Sequence, residues 1–296
     1  MARRRTQLQL IGASVQVITT PAQMRAWSRE HRSTGARIGF VPTMGALHAG
    51  HAALMQRART ENDLVVLSIF VNPAQFNVAA DFDKYPRDMD ADLAVARNAG
   101  VDAVYAPTVD VVYPEGHSVM VEPGTAAIPM EGAGRPGHFR GVTTVVAKLF
   151  NTVEPDVAYF GRKDYQQLAV VNQMVRDLDM GVTVVGVDTV REEDGLALSS
   201  RNVRLSPAHR AQAPVIKRAL DAIVAAVADG ERSVDLLRAH ALDVVSHAQD
   251  CSMEYIEIAD VDTLAPLDTI GDRAVVCVAA WFGDVRLIDN VTVVAR

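Results

Sequence analysis

Through the first two thirds of the chain, short β-branched runs alternate with stretches whose apolar residues recur at helical spacing. Residues 37–41, 64–71, 103–106, 157–160 and 183–187 read as strands, and 50–61, 86–99, 143–153 and 165–180 as helices. The run 64–71 is apolar throughout except at Ser68, so it offers no polar face to solvent. A strand of that kind suits a parallel sheet covered by helices on both sides. The alternation predicts a doubly wound α/β domain over residues 1–188. Beyond it the pattern changes: Ala-rich helical stretches at 207–228 and 234–247 precede strand-like 253–259, 274–282 and 285–294. These predict a second, smaller α+β domain over residues 189–296. Residues 191–206 are polar and charged, which reads as a linker or an active-site loop rather than core.

Composition narrows the classes. A length of 296 residues fits two domains, and 49% hydrophobic residues can build a substantial core. With 36 acidic against 29 basic residues, the net charge of −7 argues against a protein that grips nucleic-acid backbones. Cys251 and Cys277 are too few for a disulfide scaffold and have no zinc-site spacing, which suits a reducing cytoplasm. Arg3, Arg4 and Arg5 precede Thr6, Gln7 and Gln9 rather than a continuous apolar stretch, so residues 1–10 read as a frayed start and not a signal segment. The longest apolar runs, 64–71 and 274–282, fall short of the roughly 18 residues a membrane-spanning helix needs.

The sharpest local feature is PTMGALHAGH, from Pro42 to His51, between a strand and the next helix. The carboxyl edge of an open parallel sheet is where ligands bind. Gly45 and Gly50 permit close backbone approach, and the following helix turns unpaired N–H groups toward an anion. His48 and His51 are three residues apart, so both rings can face one ligand. Two other readings of the pair stay open: surface or capping residues, and part of a metal site. No HExxH arrangement or cysteine stands nearby to complete a zinc site. GAGRPG, from Gly132 to Gly137, matches a dinucleotide-binding pattern, but Ile128–Glu131 before it is poor strand sequence and Pro136 interrupts it. No P-loop pattern occurs.

Further polar clusters follow other predicted strands. In GRKDYQQL, from Gly161 to Leu168, Lys163 can act as a point charge on phosphate and Gln167 can project an amide into the same cleft. In SIFVNPAQF, from Ser68 to Phe76, strand burial explains Ile69 to Val71 but not Asn72 or Gln75. DGLALSSRN, from Asp194 to Asn202, carries hydroxyls and a guanidinium able to wrap a triphosphate, or is a plain Ser-rich linker. Three clusters thus fall at strand ends on one sheet edge, with the fourth at the domain junction.

These motifs, with RPGHFRGV (135–142) and AWFGDVRLIDN (280–290), resemble in order the pantoate–β-alanine ligase (pantothenate synthetase) family. H-x-G-H is similar to the HIGH-type signature of the nucleotidyltransferase superfamily, and Leu198–Arg201 to its mobile second signature. The resemblance implies a Rossmann-like doubly wound parallel sheet binding ATP and pantoate, closed by the smaller domain. It implies an ATP-dependent ligase that condenses pantoate with β-alanine through a pantoyl adenylate, releasing AMP and pyrophosphate. It also implies Mg2+, a likeness to homodimers, and a cytoplasmic enzyme with no nucleic-acid or membrane partner. By position, His51, His48 and Lys163 would be catalytic, and Met44, Gly45, Ala46, Leu47, His48, Ala49, Gly50 and His51 would contact ATP. Gly161, Arg162, Lys163 and Asp164 would line the nucleotide, Val190 would lie near adenine, and Leu198, Ser199, Ser200 and Arg201 would close over the phosphates. Gln75 and Gln167 would grip pantoate, with Gln75 also meeting β-alanine; Arg135 and His138 lie in a matching segment with no assigned role. Ala49 stands where the family commonly has an acid, Arg162 where it often has Glu, and Leu198 where some members have Met.

Two rival readings make different demands. An adenylyltransferase of the same superfamily acting on a phosphorylated acceptor needs further basic residues, whereas Gln75 and Gln167 are neutral. A non-catalytic nucleotide-sensing module could dispense with His51 and Lys163, and both are present. A tRNA synthetase-like role would need an RNA surface at odds with the charge of −7.

Overall fold

The computed structural model describes residues 15–77 and 82–295, so the reading of Arg3–Arg5 lies outside the described residues. Six parallel strands form the larger sheet: β1 (Gln16–Ile18), β2 (Ile38–Thr43), β3 (Leu64–Ile69), β4 (Ala103–Tyr105), β5 (Val157–Gly161) and β6 (Thr183–Val187). Their spatial order is β1-β4-β3-β2-β5-β6. The helices are α1 (Pro21–Ser33), α2 (Ala49–Glu61), α3 (Met89–Asn98), short α4 (Val109–Val112) and α5 (Glu131–Gly134), α6 (His138–Val153) and α7 (Tyr165–Asp177).

Alternation along each strand feeds two cores. Phe40, Val66, Tyr105, Ala158 and Phe160 join Met24 and Trp27 of α1 and the buried face of α6 on one side. Their chain neighbours Val41, Val65, Leu67, Val104 and Tyr159 join Leu54, Met55 and Ala58 of α2 on the other. This is why the strands carry no polar alternation: each large side chain that leaves water contributes about 1.5–3 kcal/mol on either face.

The predicted strands and helices of this region are present with shifted ends. The 86–99 helix begins at Met89, where the Asp88 side chain caps Ala91 N–H, and α6 begins at His138 rather than 143. Strand β1 and helix α1 are additions to the predicted set. β1 is only three residues long, and α1, capped by Thr20 with Pro21 at its start, buries only Met24, Trp27 and Ser28.

The second sheet is antiparallel, β7 (Cys251–Ala259), β8 (Arg273–Phe282) and β9 (Val285–Val294), in that order. It is covered by α9 (Val215–Ala228) and α10 (Val234–Ser246), with α8 (Pro207–Gln212) before them. The single helix expected over 207–228 is therefore two, because Pro214 has no N–H to donate and its ring obstructs the preceding turn. β8 is buried on both faces: Val276, Val278 and Ala280 pack on α9 and α10, while Val275 and Cys277 pack into the larger unit's core with Val261 and Leu264. Tyr165 Oη donates to Val261 O at 3.0 Å across the same junction. Buried Glu131 of α5 receives two bonds from Arg286 of β9, at 2.7 and 2.9 Å, and one from Tyr255 Oη at 2.9 Å. Burial opposes ionisation of Glu131, yet Arg286 and Tyr255 hold its carboxyl below the usual range. Among the described residues, no helix is long and apolar enough to cross a membrane.

Candidate active site

The chain leaves β2 toward β3 and β4 on one side of the sheet, whereas β5 leads to β6 on the other. Loops at the carboxyl ends of β2 and β5 therefore diverge and open a crevice, the usual ligand position in such a sheet. The three polar clusters of the sequence follow β2, β3 and β5 and share this edge.

After β2 the backbone enters the left-handed region at Gly45 (φ 82°) and Ala46 (φ 52°). Asp92 of α3, only 4% exposed, stabilises that turn by accepting from Ala46 N at 3.1 Å and Leu47 N at 2.8 Å. A side chain at Gly45 would place its Cβ 2.6 Å from Asp92 Oδ2, so glycine is needed here for space as well as for φ. Sequence reasoning missed Asp92, because Asp88, Asp90 and Asp92 look like one solvated acidic run.

His48 caps α2. Its Nδ1 accepts from Gly50 N at 3.1 Å, and His51 Nδ1 reaches back to accept from His48 N at 3.2 Å. The capping alternative is thus part of the geometry, and it has a chemical consequence. A ring whose Nδ1 accepts a backbone proton carries its own hydrogen on Nε2. The rings lie 4.1 Å apart, centroid to centroid. Burial, followed by the charge of Lys163, lowers His48; burial, followed by His48, lowers His51 to about 4. Both are neutral Nε2–H donors near pH 7.

At the end of β5, residues Arg162–Asp164 make one turn before α7. Asn290 Nδ2, from β9, donates to Arg162 O and Lys163 O, each at 2.8 Å, and so fixes the turn that carries Lys163. Among the described residues Lys163 has no ion pair, whereas exposed Arg162 pairs with Asp188 at 3.2 Å. Past β3, Gln75 is 8% exposed on a short turn against α6. Gly141 permits that contact, since a Cβ there would lie 2.2 Å from Ala74 O. His138 Nδ1 donates to Gln75 O at 2.9 Å, and Arg135 Nη1 lies 3.3 Å from His138 Nε2. The matching RPGHFRGV segment therefore supports the backbone of Gln75. The side chain of Gln167 makes no hydrogen bond within the described residues. GAGRPG falls in α5 and the turn before α6, not after a strand.

Across the crevice, Leu198 N donates to Val190 O at 2.9 Å, and Arg191 is held by Asp289 at 2.6 and 3.0 Å. Asn202 Nδ2 donates to Ala197 O at 3.1 Å, closing a short loop that carries Ser199, Ser200 and Arg201. Lys163, Ser199, Arg201, Arg286 and Asp289 are among the residues that line one small cavity. The structure thus gathers Lys163 and the Leu198–Arg201 loop at one junction, with the β2 loop and Gln75 on the adjoining edge.

A pH dependence of stability follows. His138 is also lowered to about 4, by burial and then by Arg135. Both His51 and His138 bind protons less well folded than at the ordinary histidine value of 6.5. Between pH 6.5 and about 4 the unfolded chain therefore holds up to about two more protons, and stability falls as pH drops through that window. Denaturant midpoints at pH 7 and 5 should show the loss, and a His51→Gln/His138→Gln double variant should flatten it; an unchanged slope would refute the assignment.

Among the described residues, no three His, Cys, Asp or Glu side chains converge to hold a metal ion.

A family model described as pantoate-beta-alanine ligase matches residues 16–292. Pantothenate synthetase of Chloroflexus aggregans is 52% identical over 277 residues, covering 93% of this chain and 99% of that protein. Its counterpart from Geotalea daltonii is 50% identical over 268 residues, covering 90% and 95%. Among solved structures, pantothenate synthetase from Thermus thermophilus superposes with a TM-score of 0.87 at 48% identity, covering 94% of this chain and 99% of that one. Pantoate-beta-alanine ligase from Francisella tularensis, complexed with beta-gamma ATP and beta-alanine, gives 0.77 at 33% identity, covering 94% and 97%. With the match running nearly end to end and the strand-end motifs in place, the chain belongs to the pantoate–β-alanine ligase family.

Proposed function

We propose that the chain condenses pantoate with β-alanine to pantothenate at the expense of ATP, in two steps. A carboxylate has no leaving group to offer an amine; joined to AMP as a mixed anhydride, it has one. Pantoate carboxylate attacks the α-phosphorus of ATP, pyrophosphate leaves, and the amine of β-alanine then displaces AMP. The observation that carries this reading is the juxtaposition of phosphate-binding groups with a neutral amide. His48 and His51 present Nε2–H donors, Lys163 is a cation with no ion pair among the described residues, and the neutral amide of Gln75 meets the same loop after β2 at Met44 Sδ. Preset donors of this kind stabilise the charge that builds on the phosphorus oxygens and on departing pyrophosphate.

In this reading, Met44–His51, Gly161–Asp164 and Val190 line ATP, and Leu198, Ser199, Ser200 and Arg201 close over its phosphates. Gln75 and Gln167 hold pantoate. Mg2+, where bound, would be held chiefly through the nucleotide's phosphates and would supply positive charge to the departing pyrophosphate. The described residues up to 188 form the ATP- and pantoate-binding domain and those from 189 onward the domain that closes over it. The working enzyme is a cytoplasmic homodimer, a reading supported by family membership.

Pyrophosphate exchange tests the sequence of steps. Pantoate without β-alanine should support exchange of labelled pyrophosphate into ATP. Exchange only in the presence of β-alanine would sink the two-step reading, and exchange supported by a phosphorylated acceptor would favour an adenylyltransferase.

A further inference from the structure

The side chain of Asn72 is 1% exposed and uses its full hydrogen-bonding capacity. Its Oδ1 accepts from Ala74 N at 3.3 Å and from Tyr113 Oη at 2.7 Å. Its Nδ2 donates to Gly141 O at 3.1 Å and to Gln75 Oε1 at 3.0 Å. Two of these partners are backbone groups of fixed sense: an N–H can only donate, and a carbonyl can only accept. They settle which end of the Asn72 amide is which. The end of Gln75 that meets Asn72 Nδ2 must then be its oxygen, so its nitrogen is turned the other way. There Gln75 Nε2 meets only Met44 Sδ, at 3.2 Å, a weak acceptor in the loop after β2.

Tyr113 closes the chain of bonds from behind. It follows α4, and its ring is packed by Phe70 and His117, with centroids 6.3 and 5.0 Å away. Burial pushes its hydroxyl up to about 12, so it remains a donor, and Asn72 Oδ1 has no proton to give in return. We propose that Tyr113 is a positioning residue: through Asn72, whose sense the two backbone groups fix, it steadies the amide of Gln75 with its N–H groups toward the acid, and so supports the site's preference for an anionic oxygen acceptor. The proposal rests on the reading that Gln75 lines the pantoate pocket.

The test is steady-state kinetics of the full-length enzyme with pantoate and ATP varied separately. Tyr113→Phe should raise the KM for pantoate about fivefold, the scale of one neutral hydrogen bond, with the KM for ATP unchanged as a check on folding. Because the effect passes through Gln75, Tyr113→Phe/Gln75→Ala should be no worse than Gln75→Ala alone. Asn72→Asp gives a sharper readout. A carboxylate there still accepts from Ala74 and Tyr113, but it drives Gln75 to turn its nitrogen inward and present its oxygen to the substrate. Pantoate should then bind about a hundredfold more weakly, while its neutral carboxamide, used as an inhibitor, should lose little or gain. Loosening of the pocket alone would weaken both compounds alike, and that result would overturn the proposal. An effect of Tyr113→Phe that adds in full to Gln75→Ala, or no effect, would also overturn it. If Gln75→Ala leaves the KM for pantoate unchanged, the pocket reading itself has failed.

Discussion

His51→Ala is expected to lower kcat by about a hundredfold or more, the scale of removing one preset donor from a charge that develops in the transition state. The capping geometry makes the effect separable from folding. His51 performs two tasks with two nitrogens: Nδ1 accepts from His48 N, and Nε2–H is left for the ligand. Alanine removes both and should cost about 1 kcal/mol of stability through the lost cap. His51→Gln should recover most of that stability, because an amide oxygen at this position of a capping box can reach back to the same N–H. It should recover little of kcat, since its remaining donor is displaced. Rapid-quench measurement of adenylate formation, beside thermal midpoints, checks both. A folded His51→Ala enzyme with near wild-type kcat would make the histidine a cap and nothing more.

Lys163→Ala should match it, again by about a hundredfold or more in kcat. The ammonium has no ion pair among the described residues, and its backbone is fixed by Asn290 from β9. Little reorganisation is therefore needed to meet phosphate. Lys163→Arg should restore only part of the rate, because a planar fork on a longer stem does not place its charge at the same point. Unlike substitutions at Gln75 or Gln167, both changes should slow pyrophosphate exchange even at saturating pantoate. Exchange at the wild-type rate in Lys163→Ala would remove the lysine from the adenylation step.

The strands were legible because burial on both faces leaves a continuous apolar run, as at Leu64–Ile69, and the site clusters because polar residues at the ends of such runs have no packing explanation. What stayed hidden has little local signature. β1 is three residues long and gains its identity only from pairing with β4. The break at Pro214 was present in the sequence, but an Ala-rich pattern on both sides masked it. Asp92, Asn290 and Tyr113 act on loops 45, 127 and 41 residues away in sequence, and spacing along the chain cannot show such pairings. His48 and His51 were found as a pair, whereas their tautomers needed the backbone N–H positions.

The loop carrying Ser199, Ser200 and Arg201 is closed at its base by its own Asn202–Ala197 bond, and the segment before it is riveted to Asp289. Whatever lifts this loop need only reseat a handful of backbone torsions. Meanwhile β8, with Val275 and Cys277 in the larger core, stays where it is. In the proposed reading, closure of the smaller domain over the site would be the swing of this loop, a door in a fixed wall rather than a jaw: nucleotide would enter and pyrophosphate leave without prying the sheets apart. The buried Glu131–Arg286 contact would then stay unbroken through turnover, and the chain could combine a firmly joined body with frequent exchange of charged ligands.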